Sequence, residues 1–432
     1  MKSTDTALNR PIKIGILFSA FTVVLFEFGV YKWDVPNKFW FYLFLIACNI
    51  AMYYGFRVGV HKEAKYPINK QININRIVRI CFWISLVLAV PKFFLFTGER
   101  TLSFSSIFAK MGQAATDSLS LYQEKGDAGN ATGIWRYINW IVVLFSPIHW
   151  AFIPLSMYYW KHLNILTKLG TIFIWFLWCA QYVVAGTNVG VFLFVINFGV
   201  VYVLKRTSKK PRKGFERFIS RIGIVLLVIL VFTILASFFN MTMSSRIGEQ
   251  VGIVNENSVF WKLTPPPLRN LVCYFTSYLA HAYQAVAYSF SIPWESTYGF
   301  GHSFYLLDEF DPHHTWLWPR TYNIKIDAVF KYDWYSKWHT PYVWFANDVS
   351  HFGVPVVFFF LFRFFGCAWR RFKETGSLVS FLIFMIYVEF ISFISANNQV
   401  FQQNVTLIAF WILVILNRTT RNAQWVLTSN EI

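Results

Sequence analysis

Arginine, histidine and aromatic side chains gather in one stretch, Asn240 to Tyr342, that reads neither as a membrane span nor as a linker. It holds Arg246, Arg269, Arg320, His281, His302, His313, His314 and His339 among many Trp and Tyr. An Arg fork grips a phosphate through two parallel hydrogen bonds and keeps its charge at a membrane surface. Trp and Tyr faces stack on sugar rings, and a histidine accepts the proton of an attacking hydroxyl near neutral pH. Such a lining suits an anionic, lipid-linked glycan. The plainer alternative makes the aromatics an interfacial belt and the arginines headgroup anchors. Arg246 stands out because it lies just beyond an apolar run, on the side that topology rules deplete of arginine.

His339 and His351 flank the entrance to the apolar run that begins near Phe345. Asp348 lies three residues before His351, a spacing that puts both on one face of a helix. His351, His339 and Asp348 are therefore the candidate catalytic groups. His313 and His314 are adjacent and point apart on a helix, so they make a poor joint metal site. The acidic cluster Asp308, Glu309, Asp311 lacks the spacing of a calcium loop, and Asp311-Pro312 predicts a turn.

The elements that must position these groups are apolar. With 432 residues, 56% hydrophobic and 14% charged, the chain is too apolar for a soluble domain. It reads as all-α, a polytopic integral membrane protein. The net charge of +18 comes from short Lys/Arg clusters between apolar runs, as topology control predicts, not from one basic face, so no nucleic-acid partner is expected. The five cysteines are scattered, with no CxxC spacing and no sign of a disulfide framework.

A bilayer core needs about 20 apolar helical residues, which predicts about ten or eleven spans. They cover 12–31, 38–59, 77–96, 134–158, 168–185, 189–205, 217–239, 345–367, 377–396 and 399–417, with 268–290 ambiguous. The basic clusters put both termini in the cytoplasm. The alternation of those clusters then requires 268–290, behind Pro265-Pro266-Pro267, to dip into the membrane or lie on its outer face, the alternative being a true span paired with a short crossing in 297–307. Two segments face outside, 97–133 with one or two interfacial helices and 240–343 as the site. The whole reads as a single membrane domain over 1–432. Glu27, His149, Gln181, Asn188, Asn197 and Glu389, inside or bordering spans, should face protein. The polar run Asn397 to Asn404 suggests an outward vestibule, and Gly186-Thr187-Asn188 a tight turn whose N–H groups face a phosphate.

Four pieces, in this order, resemble the O-antigen and oligosaccharide repeat-unit polymerases of bacterial envelopes, relatives of the O-antigen ligases. They are Gly186-Thr187-Asn188, Ser245-Arg246, the Tyr274–Leu279 run leading to Tyr298-Gly299-Phe300-Gly301-His302-Ser303, and Ser350-His351-Phe352-Gly353-Val354-Pro355. The resemblance covers about residues 76 to 417. It implies a GT-C-like membrane glycosyltransferase of the inner membrane, using an undecaprenyl-diphosphate-linked glycan as donor and a lipid-linked repeat unit as acceptor, without cofactor or metal. A chain-length regulator protein is an implied partner. Arg246, Arg269 and Arg320 would then neutralise the leaving diphosphate, joined in substrate binding by Tyr274, Tyr278, His281 and Asn188. The alternatives are an O-antigen ligase and a lipid-linked sugar flippase or transporter.

Overall fold

The computed structural model describes residues 7–62, 68–121, 133–207, 233, 236–244, 253–334 and 337–427. In chain order its main helices are α1 (Arg10–Phe28), α2 (Lys38–His61), α3 (Ile74–Thr97), α4 (Phe104–Thr116), α5 (Ile134–Tyr159), α6 (Ile165–Val184) and α7 (Val189–Thr207). There follow α8 (Arg269–Ala280), α9 (Tyr283–Ser289), α10 (Phe304–Phe310), α11 (Tyr322–Phe330), α12 (Pro341–Thr375), α13 (Leu378–Phe393) and α14 (Asn404–Thr419). A two-stranded sheet pairs Lys70–Asn73 with Ala423–Val426. The protein is all-α and membrane-embedded: seven helices among the described residues are long and apolar enough to cross a bilayer, namely α1, α2, α3, α5, α6, α7 and α12.

Two of the expected spans are shorter. α13 and α14 have 16 residues each, because the polar run from Asn397 to Gln403 interrupts the apolar sequence and Gln403 takes an extended conformation. Most of the expected span 217–239 lies outside the described residues. The ambiguous stretch 268–290 forms no crossing helix. It breaks at His281 into α8 and α9, of 12 and 7 residues, each too short to span.

Local chemistry sets the boundaries. Asn73, Ser103, Asn164, Ser303, Thr321 and Ser377 each accept a backbone N–H with their side chain at a helix start, replacing a bond the first turn lacks. Gly98 and Gly376 close α3 and α12 in the left-handed conformation.

By contacts the chain divides into two compact units, Met1–Ile72 with Gly252–Val426, and Asn73–Val251 with the last six residues. In the first, α2 lies along α12, and α1 packs on α2, α8 and α13. Gly55 and Gly59 form a small-xxx-small pair on α2. A Cβ at either would fall well inside van der Waals contact with the backbone of Phe359 or Arg363 on α12, as would one at Gly366 with Phe56. Such close approach is how helices gain packing in lipid. In the second unit α3 packs on α5 and α6, α7 on α5 and α6, and the amphipathic α4 on α6.

Gly59→Val should therefore lower stability by about 1–3 kcal/mol through overpacking, read as a drop in Tm of the purified protein. Gly112→Ala, which meets nothing within 4 Å, should be neutral or stabilising by about 0.5–1 kcal/mol. Equal melting of wild type and Gly59→Val contradicts the close α2–α12 approach.

Candidate functional site

The strongest polar arrangement in the first unit is built on Asp348, near the start of α12. Its Oδ1 accepts from Thr297 Oγ1 (2.5 Å), Gly299 N (3.0 Å) and Gly301 N (2.7 Å). Its Oδ2 accepts from His302 N (3.0 Å) and His302 Nδ1 (2.9 Å). The loop can wrap the carboxylate because Tyr298 and Gly299 take positive φ (56° and 90°) and because Gly301 has no Cβ to strike Thr297 and Asn347. The neighbouring Asn347, fully buried, donates to Gly301 O and accepts from Tyr322 N.

This cage sets the state of His302. A carboxylate only accepts, so Nδ1 carries a proton, and in the neutral ring the lone pair then falls on Nε2. The ring stacks on Phe345 (5.6 Å) and meets Phe401 edge-on (6.0 Å), while Asn398 Nδ2 holds His302 O at 2.7 Å. The side chain keeps 17% exposure, and Nε2 has no partner among the described residues. A fixed imidazole with a free, reachable Nε2 is the geometry of a general base.

The same loop meets an arginine through Tyr298. Arg320 donates from Nη1 to Tyr298 OH (3.0 Å) and sits 5.2 Å over the Tyr298 ring. Trp294, Tyr298 and Trp316 are exposed. Asp311 fixes the loop that carries Arg320: its carboxylate accepts the N–H groups of Thr315, Trp316, Leu317 and Trp318. Burial works to raise this carboxyl, but those bonds outweigh it and hold it well below the usual range. The acidic cluster is thus organised by a turn at Asp311.

The other candidates are placed differently. Asp348 and His351 do not share a helical face, because Ser350 (φ 57°, ψ 173°) breaks α12 between them. His351 instead stacks on Phe290 (4.0 Å), with Nε2 2.8 Å from Ser289 Oγ and Nδ1 3.4 Å from Tyr322 OH. Ser289 gives its proton to Val286 O, so Nε2–H donates and both His351 nitrogens are engaged internally. His281 is likewise committed, Nδ1 to Ser277 O (2.7 Å) and Nε2 to Trp338 N (3.2 Å), and burial pushes it down to about 4. His339 is 3% exposed, and burial, helped by nearby His281, takes it down to about 3. Tyr274 is buried, and Tyr278 packs edge-on against Trp338 (4.4 Å). These five therefore pack at least partly inside the first unit, His339 with both ring nitrogens buried and unpartnered among the described residues.

Arg269 sits 4.6 Å over Trp261, and among the described residues no hydrogen bond, ion pair or ring contact joins it to Arg320. Arg246 lies outside the described residues. In the second unit Asn188 is buried and donates to Thr242 Oγ1 (2.8 Å). The N–H groups of Gly186 and Thr187 close α6 on Val183 O and Tyr182 O, so they are not free for a phosphate. The signal sequence reasoning passed over was His302. It stands in a Gly-x-Gly-His run whose glycines let a loop fold onto an acid, but nothing in the spacing names Asp348, 46 residues away, as that acid.

Fold and site together define an all-α membrane-embedded protein carrying a carboxylate-anchored histidine on a loop whose Tyr298 meets Arg320. No family model, curated protein or solved structure matches the chain.

The buried histidines make a pH prediction. A group whose pKa is lowered on folding contributes stability that is present above its unfolded value, about 6.5, and is lost as pH falls toward its folded value. Stability should thus fall from pH 7 to pH 4, by on the order of a few kcal/mol for His281 and His339 together, read as a falling Tm. His339→Leu should flatten this dependence. An unchanged slope in that variant rejects the assignment.

Proposed function

We propose that this chain is a membrane glycosyltransferase that joins polyprenyl-diphosphate-linked oligosaccharide repeat units into an O-antigen-type polysaccharide, at the periplasmic face of a bacterial inner membrane. The observation that carries the reading is the Asp348–His302 pair, an imidazole with one nitrogen fixed and the other without a partner among the described residues, in an apolar helical protein. The order of motifs in the sequence supplies the substrate class.

In this reading the acceptor hydroxyl oxygen attacks the anomeric carbon of the donor, and its proton passes to His302 Nε2. The anomeric C–O bond breaks, and its electron pair leaves with the diphosphate. The developing negative charge is met by Arg320, whose guanidinium stays ionised throughout. Asp348 holds the imidazole in the basic tautomer and stabilises the imidazolium that forms. Trp294, Tyr298 and Trp316 offer faces to the sugars. Arg269, stacked on Trp261, is a second contact for the lipid diphosphate, and a phosphate role for Arg246 follows from sequence alone.

Purified protein supplied only with lipid-linked repeat units should extend them, which a ligase or a flippase does not. His302→Ala and Asp348→Asn should each reduce extension by about 10²–10⁴-fold, and Arg320→Ala by about 10²–10³-fold, with membrane abundance retained. Wild-type rates in His302→Ala would remove the base assignment. Failure of the wild type to extend them, with transfer once a lipid-core acceptor is added, points to a ligase.

A further inference from the structure

The second unit holds a basic residue that its fold leaves unpaired. Lys92, on α3, is 7% exposed, and its Nζ lies 4.9 Å over the ring of Trp178 on α6. Among the described residues no carboxylate or other hydrogen-bond acceptor pairs with it. A buried ammonium inside a membrane bundle is costly and marks a functional position by default. It does not escape to lipid headgroups by snorkelling, because it is enclosed by helices rather than set on the lipid-facing surface.

The helices that meet at Trp178 carry further unpartnered groups. Trp178 Nε1 and Gln181 Nε2 are buried with no partner, as is Ser85 Oγ. Gln181 follows Trp178 by three residues and Ser85 precedes Lys92 by seven, so each pair lies along one helix stripe. His149 on α5 packs its ring 5.5 Å from Trp178 and donates to the Ser85 backbone, which leaves Nδ1 as an unpartnered acceptor. The three helices thus converge on Trp178, with an ammonium and neutral N–H and O–H donors and no negative charge.

We infer that the α3–α5–α6 bundle is a binding site for a phosphate-class oxyanion, with Lys92 as its charge partner and Trp178 and Gln181 as N–H donors. Phosphate fits better than a carboxylate, because its several terminal oxygens match the three ammonium hydrogens plus the indole and amide donors, whereas a carboxylate has only two oxygens. The Trp178 face holds the ammonium in place when the anion is absent. The inference rests on the second unit alone and is independent of the glycosyltransferase reading.

The test uses the full chain in neutral-lipid nanodiscs, titrated with inorganic phosphate, with inorganic diphosphate, and with a polyprenyl phosphate in the bilayer, following Trp fluorescence and Tm. At least one probe should raise the wild-type Tm. Lys92→Met should weaken that response at least tenfold, yet melt at or above the wild type without probe, since it replaces an unpaired buried charge with a neutral chain. Lys92→Arg should retain binding, and Gln181→Leu should weaken it several-fold, so a folding failure of one variant does not decide the matter. A response to the inorganic anions identifies a free-anion site, and a response to the lipid alone identifies a headgroup site. If no probe shifts the wild type, or if Lys92→Met responds as the wild type does, the inference is overturned.

Discussion

The site depends on one buried carboxylate and the donors that surround it. Removing an ionised carboxyl from water is costly unless every oxygen is satisfied. Asp348 meets that condition with five bonds from one short loop, Thr297 to His302. The same bonds that keep it ionised force the loop through a positive-φ pair and across a glycine. They leave His302 with one nitrogen bound and one open. Stability and chemical competence here have a common cause.

Asp311 repeats the device without a histidine, gathering four backbone N–H groups into a turn. Its role is to set the path of the chain toward Trp318 and Arg320. His281 and His351, by contrast, are spent on packing. His281 bridges the end of α8 to Trp338, and His351 is wedged between Phe290, Ser289 and Tyr322. A histidine with both nitrogens engaged inside the fold holds elements together and is poorly placed to take a proton from a substrate.

The two units deal with polar groups in lipid in different ways. In the first, α2 and α12 approach through glycines until backbones touch, so that van der Waals contact does the work hydrophobic burial does in water. Glu27 near the end of α1 is neutralised by Lys38 and Tyr42. In the second, Lys92 is set over an indole face with no counter-charge among the described residues, an arrangement best understood through what it can bind.

The sequence by itself determined the all-helical membrane character and the places of the seven long apolar helices, and it left 268–290 ambiguous. Apolar run length, proline and basic clustering are local properties that act wherever the chain folds. It also named Asp348, but assigned it the wrong neighbour, because the i, i+3 argument assumes an unbroken helix and Ser350 turns the backbone between Asp348 and His351. Only tertiary structure decided that Asp348 meets His302, that His281 and His351 are consumed internally, and that Lys92, His149 and Trp178 from three separate spans share one place. Such pairings join residues tens of positions apart, and they are selected by which donors reach a buried charge, a condition that no spacing along the chain records.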